Sequence, residues 1–268
     1  MKFKDIRRRA ERFLKQLCGK DIWIWRNIRV ETMVAGKERY VICPKFLSSR
    51  SIVYSAGIGD DISFDIELIK NFGCSVFGFD PSPSSIAWVE KYNLPIEFRF
   101  YPYGISDHDG EALMYPPENP DSTSFSWITG VELSTSSEPE NPDSTSFSLV
   151  CKKTSSDAFE VPVRCLTSIM RELGHTHIDL LKLDIEGGEY AVIEDMIQRE
   201  IRPGQIIVEF HHRFPEIGLS MTKKAIRELK KAGYRIFYID PKGEEFSFIH
   251  RNLISMEKQS VIVAQPEI

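Results

Sequence analysis

The chain has 268 residues, 42% hydrophobic and 27% charged, which is enough apolar material for one large α/β domain or two small ones and argues against disorder as the default. A net charge of −5 argues against a general nucleic-acid binder, and no apolar run reaches the length of a membrane span. Five scattered cysteines (Cys18, Cys43, Cys74, Cys151, Cys165) without a CxxC pair predict neither a zinc site nor a disulfide framework, and point to a reducing, cytoplasmic setting.

The opening MKFKDIRRRAERFLKQL is basic and lacks the apolar core of a secretory signal. Ile6, Phe13, Leu14 and Leu17 share one face of a helix over 2–17, expected to pack on the domain edge. Strand-like runs at 28–33 and 39–43 flank Ala35-Gly36-Lys37 and predict a hairpin. Residues 1–45 therefore read as an N-terminal extension and 46–268 as the main domain.

A strand at 51–55 leads into the turn Gly57-Ile58-Gly59, with Asp60 and Asp61 as caps of the next helix. Ile62, Ile66, Ile69 and Phe72 supply that helix's apolar stripe and Gly73 ends it. A second strand follows at 75–80, a helix at 84–92 and a third strand at 96–101. Residues 104–165 break the alternation. Within them ENPDSTSFS at 118–126 recurs letter for letter at 140–148, rich in turn formers, and reads as a duplicated surface loop in an insertion over 116–150. Alternation resumes with strands at 161–166, 178–184, 205–210 and 235–239 and a closing strand at 261–264. Helices at 167–173, 189–198 and 222–231 separate the first four of these. This order predicts a doubly wound, mostly parallel sheet with helices on both faces.

Ligands of such sheets sit beyond the carboxyl ends of the strands, so the residues there carry the chemistry. Asp60 and Asp61 place negative charge where a dinucleotide enzyme seats its pyrophosphate, and Ile62 stands where a third small residue belongs. Both features turn the glycine loop away from NAD and toward S-adenosylmethionine, whose ammonium and sulfonium are cationic. Asp80, 21 residues after Gly59, is placed to accept the ribose hydroxyls. A second block, Ile178 to Glu189, delivers Lys182, Asp184, Glu186 and Glu189 after an apolar strand, and Glu209 and His211 follow the next one. A near-neutral His211 would suit a general base. The acids with His211 could hold a divalent cation, but their spacing does not demand one, and no metal is expected.

The blocks Tyr54-Ser-Ala-Gly-Ile-Gly-Asp-Asp61, Phe77-Gly-Phe-Asp-Pro-Ser82, Tyr103-Gly-Ile-Ser-Asp-His-Asp-Gly110, Val161-Pro-Val-Arg-Cys-Leu166 and Leu181-Lys-Leu-Asp-Ile-Glu-Gly-Gly-Glu189 resemble those of FkbM-type methyltransferases, in the family's order. The resemblance implies a seven-stranded, Rossmann-like class I methyltransferase fold, S-adenosyl-L-methionine as donor, and O-methylation of a sugar or other small hydroxylated metabolite. On this reading Ser55, Ala56, Gly57, Ile58, Gly59 and Asp60 hold the methionine end. Asp80, Pro81 and Ser82 hold the ribose, and Gly104 and Ile105 lie near the adenine. Asp184, Glu186 and His211 face the methyl group and its acceptor. Ser55 stands where the first block often opens with an aspartate, and Asp61 where it often has a glycine. Two other readings stay open: an NAD-linked oxidoreductase or epimerase, and a non-catalytic binding module on the same fold. A homo-oligomer is compatible with all three.

Overall fold

The basic N-terminal stretch forms helix α1 (Phe3–Leu17), followed by a short hairpin of β1 (Met33–Ala35) and β2 (Tyr40–Ile42). These elements come from a computed structural model that describes residues 3–115, 126–128, 158–214 and 217–255. The hairpin is shorter than its sequence suggests. Asn27 and Ile28 instead donate their amides to Ile236 O, so the first half of the predicted strand lies against another part of the sheet.

Strand β3 (Ile52–Ala56) then runs into α2 (Ser63–Phe72), β4 (Ser75–Phe79), α3 (Pro83–Val89) and β5 (Phe98–Tyr101). Next come β6 (Gly104–Ser106), β7 (Gly110–Tyr115), β8 (Ser126–Ile128) and β9 (Phe159–Cys165). The chain continues through α4 (Leu166–Leu173), β10 (Leu180–Leu183), α5 (Glu189–Gln198), β11 (Gln205–Glu209), α6 (Gly218–Lys231), β12 (Tyr234–Ile239) and β13 (Glu245–His250). No described helix is long and apolar enough to cross a membrane.

Seven strands form the main sheet in the order β12-β13-β11-β10-β3-β4-β5. The pairs from β11 to β5 are parallel, and β13 inserts antiparallel between β11 and β12. The doubly wound, mostly parallel sheet of the sequence reading is therefore present. Alternate residues serve opposite faces. Tyr54, Leu181, Ile206 and Val208 join one apolar cluster with Ile193 of α5 and Ile226 and Leu229 of α6. Val53, Leu180 and Ile207 join another with Phe64 and Leu68 of α2. Burial on both faces explains why these strands read as continuous apolar runs.

Two strand assignments differ from the sequence reading. The strand predicted at 161–166 is β9, which lies in a separate four-stranded sheet, β6-β9-β7-β8, beside β6 in parallel and β7 antiparallel. Its alternating burial marks a one-sided strand, unlike the all-buried β10. The seventh strand of the main sheet is β13, a segment the sequence reading left unassigned, while the predicted strand at 261–264 lies outside the described residues. So does the duplicated loop, except for Ser126. On α2 the most buried face is Phe64, Asp65 and Leu68, with the predicted Ile66 and Ile69 only partly buried.

Candidate functional site

The chain leaves β3 toward β4 on one side and returns through β10 on the other, so the topological switch lies beyond the ends of β3 and β10. Gly57 crosses it with φ at 80°. A Cβ here would meet Asp184 O at 1.7 Å, so no side chain fits. The loop is gripped from both sides. Gly57 N donates to Phe79 O (3.0 Å), and Lys182 Nζ donates to Gly57 O (2.8 Å). Asp80 Oδ2 accepts from the amides of Ile58 and Gly59, both at 2.9 Å, while Oδ1 accepts from Ser82 N (2.9 Å) and Ser82 Oγ (2.6 Å). The Asp61 amide goes to Ile58 O. The Asp61 carboxylate accepts from Ser63 N and Oγ in a turn just ahead of α2, whose N-cap is Ile62 with no side-chain cap, so neither Asp60 nor Asp61 caps the helix as the sequence suggested.

A cleft of about 850 Å³, open at its mouth, sits on this loop. Among the described residues its lining carries seven carboxylates (Glu38, Asp60, Asp61, Asp65, Asp80, Asp184, Glu186) against Lys182 as the sole basic residue. Burial raises Asp65 to about 6, with Lys182 and the facing Ser55 hydroxyl pulling the other way. Ser55 Oγ affects that carboxylate from outside hydrogen-bonding geometry, since neither Ser55 Oγ nor Asp65 Oδ1 has a hydrogen-bond partner among the described residues.

The far side is built from the ends of β10 and β11. Tyr40, brought over by the hairpin, donates its hydroxyl to Asp184 Oδ2 at 2.8 Å, and Lys182 Nζ lies 3.7 Å from the same oxygen. Burial and the Asp184 charge raise the Tyr40 phenol well above its usual range, so it remains a donor. The hairpin is moored by Gln205, whose side chain bonds both Cys43 N and Cys43 O. His211 lies between two carboxylates, with Nε2 at 3.2 Å from Glu186 and Nδ1 at 3.2 Å from the fully buried Glu189. Burial alone would lower its pKa. The hydrogen bond and charge of Glu189, backed by Glu186 and Asp184, outweigh burial and push it up to about 10. Glu209 is raised to about 7 by burial and by the Asp184 charge. Ligand atoms of Asp184, Glu186 and His211 lie within 4.8 Å of one another, as do those of Glu38, Asp184 and Glu209, a spacing a divalent cation could bridge.

The sequence model of the methyltransferase FkbM domain matches residues 52–236. The chain belongs to this family. Among curated proteins it is 24% identical over 217 residues to the probable methyltransferase-like protein 24 of Homo sapiens, covering 75% of this chain and 46% of that protein. The Rattus norvegicus counterpart is 24% identical over 222 residues, covering 77% and 47%. The chain thus spans about half the length of the curated relatives it matches. Among solved structures, the methyltransferase FkbM of Methylobacillus flagellatus KT aligns with a TM-score of 0.43 and 11% identity, over 76% of this chain and 44% of that one.

In this FkbM-family chain, Gly57, Ile58, Gly59, Asp60, Asp80, Pro81, Ser82, Asp184 and Glu186 converge on one cleft. His211 joins through Glu186. Ser55 and Ala56 are buried in β3 beneath the loop. Gly104 and Ile105 are buried in β6 of the second sheet and do not line the cleft. Asp80 differs from the expected free ribose acceptor: its four acceptor positions already face protein donors, because the glycine turn aims its amides inward. His211 differs from the expected near-neutral base because two carboxylates bracket it. Asp65, Tyr40 and Glu38 were missed from sequence. For Asp65 a signal existed, since it stands three residues after Ile62, an acid on the apolar stripe of α2. Tyr40 and Glu38 had none, because the hairpin's docking is a tertiary event.

Proposed function

We propose that the chain is an S-adenosylmethionine-dependent methyltransferase acting on a hydroxyl of a small hydroxylated metabolite. One observation carries this reading. The amides of Gly57, Ile58, Gly59 and Asp61 are all bonded within the protein, so the loop offers none of them to a pyrophosphate, and acids surround it. A dinucleotide needs those amides; a cationic donor needs the acids. The residues fit such a donor in a further respect: an added Cβ at Gly59 would meet no atom within 4 Å, which leaves open space above the loop.

In this reading Gly57, Ile58 and Gly59, with Ser55 and Ala56 beneath them and Asp60 alongside, cradle the methionine end. Asp80, Pro81 and Ser82 hold the ribose, with the Ser82 hydroxyl as the side-chain donor that a ribose hydroxyl would replace on Asp80. S-adenosylmethionine supplies an electrophilic methyl group on a sulfonium. Asp184, fixed by Tyr40 and Lys182, accepts the proton of the acceptor hydroxyl. His211 is held as an imidazolium and anchors Glu186 toward the acceptor, so it positions the site and leaves proton removal to Asp184. Alignment of donor and hydroxyl supplies much of the rate.

Calorimetry with S-adenosylmethionine tests the donor, with Asp80→Ala as the control. Binding by the native protein and its loss in the variant are expected, and no heat from the native protein would sink the proposal. Mass spectrometry of a metabolite extract incubated with protein and donor then identifies species that gain one methyl group.

A further inference from the structure

One carboxylate in the cleft is buried without an ion pair among the described residues. Asp65, in the first turn of α2, is 2% exposed, and its Oδ1 has no hydrogen-bond partner among the described residues. Ser55, 0% exposed at the end of β3, faces it with a hydroxyl that also lacks a partner. Both belong to the α2 side of the sheet. Ser55 follows Val53 by two residues and pairs in register with Lys182, which follows Leu180 by two, and Val53 and Leu180 pack with α2.

Lys182, whose charge acts on Asp65, does not pair with it. Lys182 directs its ammonium to Gly57 O at 2.8 Å, lies 4.9 Å from the Tyr40 ring centre, and forms its ion pair with Asp184 at 3.7 Å. Its field reaches Asp65 without forming a pair. A buried carboxylate lacking a partner is strongly destabilising unless something cationic joins it. Asp65 lines the same cleft as the glycine loop, so the cation it lacks can arrive with the ligand.

We propose that Asp65, with Ser55 beside it, is the anchor for a ligand ammonium, the α-amino group at the methionine end of the donor. This rests on the donor reading above and adds a residue and a selectivity to it. The carboxylate makes the cleft prefer a nucleoside that carries an amino-acid ammonium over one that does not. A purely internal role for Asp65 would give the protein stability but no such preference.

The discriminating ligand is 5′-methylthioadenosine, which keeps the adenosine and the thioether but has no ammonium. Calorimetry on the full chain compares it with S-adenosylmethionine and S-adenosylhomocysteine. In Asp65→Asn, affinity for the two amino-acid-bearing ligands should fall about 10- to 100-fold, the range of a lost charge-assisted contact, while methylthioadenosine is unaffected. The double variant Ser55→Asp with Asp65→Ser returns a carboxylate from the opposite wall and should restore the preference. The inference is overturned if Asp65→Asn binds all three ligands as the native protein does, or weakens all three alike. It is also overturned if both variants lose their fold in thermal melting, which marks Asp65 as structural. Failure of the donor reading is separately visible, because the native protein would then bind none of the three.

Discussion

The two walls of the cleft treat their polar groups in opposite ways. On the β3–β4 wall the glycine loop closes on itself: Asp80 takes the amides of Ile58 and Gly59, and β4 and β10 hold the Gly57 peptide. On the β10–β11 wall charges crowd together, with His211 bracketed by Glu186 and Glu189, and Glu209 pressed against Asp184. The glycine loop is geometrically complete before any ligand arrives, as preorganised binding requires. The other wall stores electrostatic imbalance, as a wall that handles a proton must. The contrast predicts that changes to the first wall act through fold and binding at any pH, whereas changes to the second act through pH.

The largest effect should come from Gly57→Ala. Its Cβ meets the Asp184 carbonyl at 1.7 Å with φ at 80°, so the loop and β10 must separate. A loss of roughly 4 kcal/mol is expected, seen as a fall in Tm of about 10 °C together with lost donor binding. Asp80→Ala comes next, because it strands the amides of Ile58, Gly59 and Ser82. About 3 kcal/mol should be lost, with little change between pH 6 and 9 on chemical denaturation. A strong pH dependence of that loss would contradict the picture of a closed wall.

The second wall should show its character in titration. His211 is raised to about 10 from the ordinary 6.5, so its contribution to stability is complete below pH 6.5 and disappears as pH rises through 10. Native Tm should therefore fall over that window, and His211→Gln should flatten part of the fall. Nuclear magnetic resonance should find the native His211 ring still protonated at pH 8, and Glu189→Gln should bring its titration down. A native ring that is neutral at pH 8 would remove the basis for assigning it a positioning role. A further pH-dependent change is Glu245→Gln. Burial, then the charges of Asp240 and Glu209, raises Glu245 to about 9, and its Oε1 has no hydrogen-bond partner among the described residues. At pH 8 the substitution should raise Tm, and at pH 4 it should change nothing measurable.

The same contrast governs what could be seen in the sequence. The closed wall was legible because its parts are local: a strand, a glycine turn and an acid at a fixed distance, all within about thirty residues. Even there, the sequence placed Asp80 correctly and misjudged its partners, since the direction of the Ile58 and Gly59 amides depends on φ values that no residue type announces. The charged wall showed its acids but not their states. Nothing in Glu186, Glu189 and His211 as a string says that the first and second would bracket the third and keep it charged. Tyr40 reaches Asp184 across 144 positions, through a hairpin whose docking depends on Gln205. Strand β13 went unread because it begins with a charged residue and lacks the apolar continuity of its parallel neighbours.

That strand has a consequence for how the molecule is made. It is the last strand in the chain among the described residues, yet it occupies an interior place in the sheet, with β11 on one side and β12 on the other. While a ribosome has delivered only as far as residue 239, β12 has no neighbour in the sheet and the ladder edge of β11 is bare. The half of the sheet that carries His211 can be completed only after residue 250 has left the exit tunnel, whereas β3, β4 and β5 can pair long before. A nascent chain stalled between those points would present an unpaired β11 edge to the chaperones that guard such edges.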